Sequence, residues 1–110
     1  MSIEESKKID YVGINQDEVA LIISDHLDWT EEEKHLQALQ DKINIYLSYI
    51  LDGQFGKQYP NDMSKPIKIK VVSQFPYTEN GKKAIKATSS FLEENHPNIS
   101  ISQEELHKNA

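Results

Sequence analysis

The sequence predicts an α+β fold: a β-β-α-β-α-β two-layer sandwich in which a four-stranded mixed sheet carries two helices on one face. Three observations predict it. Thr30 to Asp52 repeats apolar residues at three- and four-residue spacing, the period of one long amphipathic helix. Ile67–Phe75 (IKIKVVSQF) alternates apolar and polar residues, so one strand face is buried and the other solvated. A doubly wound fold would bury both faces of that strand. Finally, strand-like segments flank each helix, and right-handed β-α-β crossovers then put both helices on the same side of the sheet. The order of the strands is left open by these patterns.

Taken in order, residues 1–8 are polar and charged and read as a frayed end. Ile9–Ile14 is short and rich in β-branched and aromatic residues, a strand. Asn15-Gln16-Asp17 supplies turn chemistry, and Glu18–Ser24 (EVALIIS) returns as a second strand, apolar enough to predict burial on both faces. The long helix follows. Thr30 with Glu33 spells a capping box, and Glu31–Glu33 complement the positive end of the helix dipole. Leu36, Leu39, Ile43, Tyr46, Leu47 and Ile50 form its inner face, and Gly53 stops it in a left-handed cap. Gln54–Pro66 has no period and reads as a loop. After Ile67–Phe75, Pro76 ends the strand. Thr78 or Asn80 caps a second helix, which runs to about Asn95 with Ala84, Ile85, Thr88, Phe91 and Leu92 inward. His96-Pro97-Asn98 breaks it, and Ile99–Ser102 alternates as a short last strand. One domain is expected, with an ordered core over about residues 9–102.

Composition limits the function classes. The chain has 110 residues and no cysteine, which excludes disulfides, thiolate metal sites and cysteine nucleophiles. No leader-like or membrane-length apolar segment is present, so a cytoplasmic location is expected and no membrane partner. A net charge of −6 disfavours a nucleic-acid partner, which needs a positive field. Lys65, Lys68, Lys70, Lys82, Lys83 and Lys86 concentrate in the second half, and read as solvated surface lysines.

Two segments carry a family resemblance. ISDHLDW at Ile23–Trp29, followed by HLQALQDKINIYLSYILDGQ at His35–Gln54, resembles a family of short bacterial proteins classed as a domain of unknown function. The resemblance implies a compact domain of about this length and a bacterial source. It implies no activity, so it assigns no catalytic residue.

The residues themselves offer one dense polar-aromatic cluster: Asp25, His26, Asp28, Trp29 and His35. As a ligand site it would use the free N–H groups at a helix N-terminus, or His26 as a base oriented by Asp25 or Asp28. The structural reading is that Asp28 and Thr30 cap the helix while Trp29 staples onto it. No metal site or cofactor is expected: His35 has Leu39, not a ligand, one turn on. No serine lies in a nucleophile-elbow context and no glycine run builds a phosphate loop. His96 and His107 are expected to face solvent. Against this, Ile45 and Tyr49 add apolar residues to the outer side of the long helix, and Ile22 and Val72 point to the sheet face away from the helices. These four are the candidate interface residues. The pattern as a whole disfavours an enzyme. It favours a small non-catalytic interaction module that binds a protein partner or itself, with a small-ligand site at the Asp25–His35 corner as the alternative.

Overall fold

The computed structural model describes Ile3 and residues 9–106. Its elements are β1 (Tyr11–Ile14), β2 (Val19–Asp25), α1 (Glu32–Leu51), α2 (Gln54–Gln58), β3 (Ile67–Ser73), α3 (Glu79–Asn95) and β4 (Ile99–Glu105). The strands form one sheet in sequential order, β1-β2-β3-β4. β1 and β2 are an antiparallel hairpin, Tyr11 opposite Ile22. β2, β3 and β4 are parallel neighbours, with Leu21 beside Ile69 and Ile69 beside Ile101. The mixed four-stranded sheet and its α+β class are those the sequence predicts.

Local chemistry sets the joints. The Asn15 side-chain carbonyl accepts from the N–H groups of Asp17 (2.7 Å) and Glu18 (2.8 Å), closing the hairpin turn. Gly53 ends α1 at φ +88°, a conformation that costs any residue with a Cβ. Thr78 caps α3 by accepting from Gly81 N–H at 3.1 Å.

The core lies between the sheet and the helices. Val19, Leu21 and Ile23 of β2, Ile67, Ile69 and Val71 of β3, and Ile99 and Ile101 of β4 share the buried face. They pack beneath Leu39, Ile43 and Tyr46 of α1 and Leu92 of α3. β2 is therefore buried on one face only. Its alternate residues Ala20, Ile22 and Ser24 are half-buried, because no second helical layer covers them.

Several boundaries differ from the sequence reading. α1 starts at Glu32 and not at Thr30, because the Thr30 hydroxyl is spent on Asp28 (2.7 Å) and no capping box forms. The segment after Gly53 is not all loop. Gln54–Gln58 coils into α2, which buries Phe55 against the end of α1. β3 stops at Ser73, level with the last residues of β2 and β4. β4 runs on through Gln103, Glu104 and Glu105, since β3 offers pairing along its whole length and Gln103 Nε2 donates to Ser73 Oγ at 2.8 Å. Ile3 is not frayed: it is fully buried in the core. The other residues of 1–8, and His107, lie outside the described residues. Phe91 points outward and is 51% exposed, because the sheet face of α3 is centred on Gly81 and Leu92.

The buried face of α1 is also rotated from the expected stripe. It comprises His35, Leu39, Lys42, Ile43 and Tyr46, while Leu36, Leu47 and Ile50 are half-buried. Two of its five members are basic. Each of them meets an aspartate.

Candidate functional site

Asp25 is the last residue of β2 and continues the inward alternation of Val19, Leu21 and Ile23, so its carboxylate points under α1. There it accepts three hydrogen bonds. Leu27 N–H donates to Oδ1 at 3.1 Å; His35 Nε2 (2.6 Å) and the Tyr77 hydroxyl (2.5 Å) donate to Oδ2. His35 Nδ1 in turn faces the Asp28 backbone carbonyl at 2.9 Å. Both ring nitrogens of His35 thus face acceptors, one a carboxylate and the other a main-chain carbonyl. Asp25 is 1% and His35 2% exposed. A buried charge stays buried only when paired and hydrogen-bonded, and this one is both.

Trp29 closes the cluster. Its ring stacks on His35 with centroids 3.6 Å apart, and Tyr77 meets it edge-on at 5.0 Å. The first turn of α3 makes room for it. A Cβ placed on Gly81 would lie 2.8 Å from the indole and 3.0 Å from Tyr77, so only glycine admits this approach. Trp29 Nε1 is buried and has no hydrogen-bond partner among the described residues. Burial, followed by the hydrogen bond to Asp25 and the Asp25 charge, holds the Tyr77 phenol above its ordinary value. The Thr30 hydroxyl and then its N–H hold Asp28 below the usual carboxylate value.

A second buried polar cluster sits further along α1. Lys42 Nζ lies 2.9 Å from Asp10 Oδ1, both side chains being at most 1% exposed. Asp10 Oδ2 accepts from Ser24 N–H at 3.1 Å. The Tyr46 hydroxyl accepts from Asp10 N–H at 2.7 Å and donates to the Ile22 carbonyl, so a side chain bridges the strand ladder where β1 begins. Burial raises the Tyr46 phenol above its ordinary value. Sequence reading missed Lys42. The available signal was phase: Lys42 stands two turns beyond His35 and one turn before Tyr46, on the buried stripe.

The expected site residues are therefore divided. Asp25, Trp29 and His35 converge, and Tyr77 joins them from outside the predicted group. Asp28 contributes its main-chain carbonyl to His35 while its carboxylate turns to Thr30 at the surface. His26 is exposed. Beside His35 a cleft of about 180 Å³ is lined by Leu27, Asp28, Thr30, Lys34 and Ala38. That is small against the roughly 300–1,000 Å³ of ordinary ligand pockets. In addition, both crossovers step the same way across the sheet, so there is no strand-order reversal of the kind that opens a ligand crevice. Among the described residues no three His, Asp or Glu side chains converge as metal ligands, and no helix is long and apolar enough to cross a membrane.

The candidate interface residues are also divided. Tyr49 is covered within the chain: its ring meets Phe55 of α2 edge-on and its hydroxyl donates to Gln58 at 2.6 Å. Ile45 is half-buried on the flank of α1. Ile22 and Val72 do share the open sheet face, set apart by Ser24 and Lys70 in the register. The lysines do not converge either. Lys68 and Lys70 belong to the open sheet face, whereas Lys82, Lys83 and Lys86 belong to the helical layer.

No curated protein and no solved structure matches this chain. A family model does, over residues 1–105. It spans every strand and helix described above, and on that match the chain belongs to DUF6572, a family of unknown function.

Proposed function

We propose that this protein is a non-catalytic interaction module that binds a protein partner or itself, in the cytoplasm of a bacterium. The observation that carries this reading is the closure of the Asp25–His35–Tyr77 cluster. Its side chains are hydrogen-bonded to one another and to the main chain of Leu27 and Asp28, and Trp29 packs over them, so its chemistry is used to hold β2, α1 and α3 together. The surface offers contact area instead. Phe91 stands half-exposed over a groove of about 300 Å³ between α1 and α3, floored by Ile43, Leu47 and Ala87, and Tyr11 is 61% exposed on the hairpin. The acidic balance suits a basic protein surface as partner.

Sedimentation velocity over a concentration series, with capture of binding proteins on the immobilised chain, tests the reading. Wild type is expected to associate with itself or to retain a protein, and, where a protein is retained, Ile45→Lys or Phe91→Glu is expected to weaken that capture. The alternative, a small-ligand site in the cleft beside His35, predicts a different result. A small molecule would raise the melting temperature of wild type and not of His35→Gln, with neither self-association nor protein capture seen.

A further inference from the structure

The two edges of the sheet are unlike. β1 is four residues long, a length at which an edge offers little to pair with. β4 is seven residues long, without proline, lysine or bulge in its register against β3. Its peptide groups alternate. The Asn98 carbonyl accepts from Ile67 N–H, and Leu106 N–H donates to the Ser73 carbonyl. The even-numbered residues of the strand therefore turn their peptides toward β3. Ile101, Gln103 and Glu105 turn theirs outward, and no described residue pairs with them.

We propose that a second copy of this chain pairs there, β4 antiparallel to β4 about a two-fold axis at Ser102, joining the two sheets into one of eight strands. The proposal rests on the interaction-module reading and names its partner. Three features fit. With the axis at Ser102, Ile101 falls opposite Gln103 of the second copy, and Gln103 opposite its Ile101. All four peptides face outward, so each pair exchanges two N–H···O bonds. Glu104 then falls opposite Ser100 and Glu105 opposite Ile99, so no like charges meet; an axis at Glu104 would set carboxylate against carboxylate. The third feature lies on α3. Its one flank, Ala87, Thr88 and Phe91, turns to the α1 groove, and Gly81 and Leu92 turn to the sheet. The flank left for the open edge carries Lys82, Lys86, Ser89 and Glu93 at helical spacing, with both lysines and Glu93 exposed. Under the same axis the two α3 helices run antiparallel. The lysine end of each lies beside Glu93 of the other, and the small Ser89 lies near the crossing.

Ser102 is exposed and on the open face, which makes it a clean probe. Wild type is expected to sediment as a dimer within the micromolar to millimolar range. Ser102→Lys and Ser102→Glu each place like charges face to face on the axis, and each is expected to raise the dimer dissociation constant about tenfold or more with the circular dichroism unchanged. An equimolar mixture of the two sets lysine against glutamate and is expected to restore dimers. Amide exchange at Ile101, Gln103 and Glu105 is expected to slow on dimerisation. A wild type that stays monomeric throughout overturns the proposal; the module reading is then decided by protein capture alone. A dimer indifferent to both substitutions also overturns it, while leaving self-association through another surface in place.

Discussion

Lys42 is the residue whose environment is most demanding. Its ammonium is enclosed on the buried face of α1 with Asp10 beside it, and removing one member of such a pair leaves the other charge stranded. Lys42→Met is expected to cost about 3–5 kcal/mol in urea unfolding. Pairing it with Asp10→Asn is expected to recover part of that loss, a coupling that a double-mutant cycle measures. Gly81→Ala pushes a methyl group into the Trp29 ring and is expected to cost about 1–3 kcal/mol. Tyr77 gives a pH signature. Its phenol titrates higher folded than unfolded, so its stabilising contribution is complete below the unfolded value of about 10 and is lost as pH rises past it. Stability is expected to fall above about pH 10 by up to ~1.4 kcal/mol per pH unit from this group, and Tyr77→Phe should remove that part of the slope. At this scale the sequence was partly legible. Asp25, Trp29 and His35 stood out as a group because they are close along the chain. Tyr77, 52 residues from Asp25, and Asp10, 36 residues from Tyr46, did not, since only folding brings them together.

Among the elements, α2 changes the meaning of α1. Apolar residues on the outer side of a long helix suggest a partner, and for Tyr49 the partner is five residues of the same chain. Phe55 anchors that turn, 2% exposed against Tyr49 and Tyr59. Phe55→Ala is expected to cost about 3–5 kcal/mol and to expose Tyr49 to fluorescence quenchers. A five-residue helix has too few periods to announce itself, and Gly53 and Gly56 disguise it as loop. The long elements were legible for the opposite reason. β3 alternates over its full length and α3 has a capping threonine three residues before Gly81, so local pattern and tertiary role agree. The second half of β4 is hidden in the sequence because Gln103, Glu104 and Glu105 are polar, and an edge strand needs apolar residues only where α3 covers it.

For the whole molecule, the decisive asymmetry is that the helices cover one face of the sheet. The other face, carrying Ile22, Lys68, Lys70 and Val72, and the outer edge of β4 are open among the described residues. Binding is therefore expected to leave the Asp25–His35 corner unchanged and to register on the surface. Backbone chemical shifts recorded as partner is added should move first in β4 and α3, not at Leu27 or Trp29. The corner has its own consequence, and it concerns descent. Trp29 comes from the linker before α1 and Gly81 from the first turn of α3, yet one occupies the volume that the other vacates. Neither can change size alone without displacing an element. Within the family the two positions should therefore drift as one inherited unit: chains that keep an indole at the first keep glycine at the second, and a bulkier residue at the second should coincide with a smaller ring, or none, at the first.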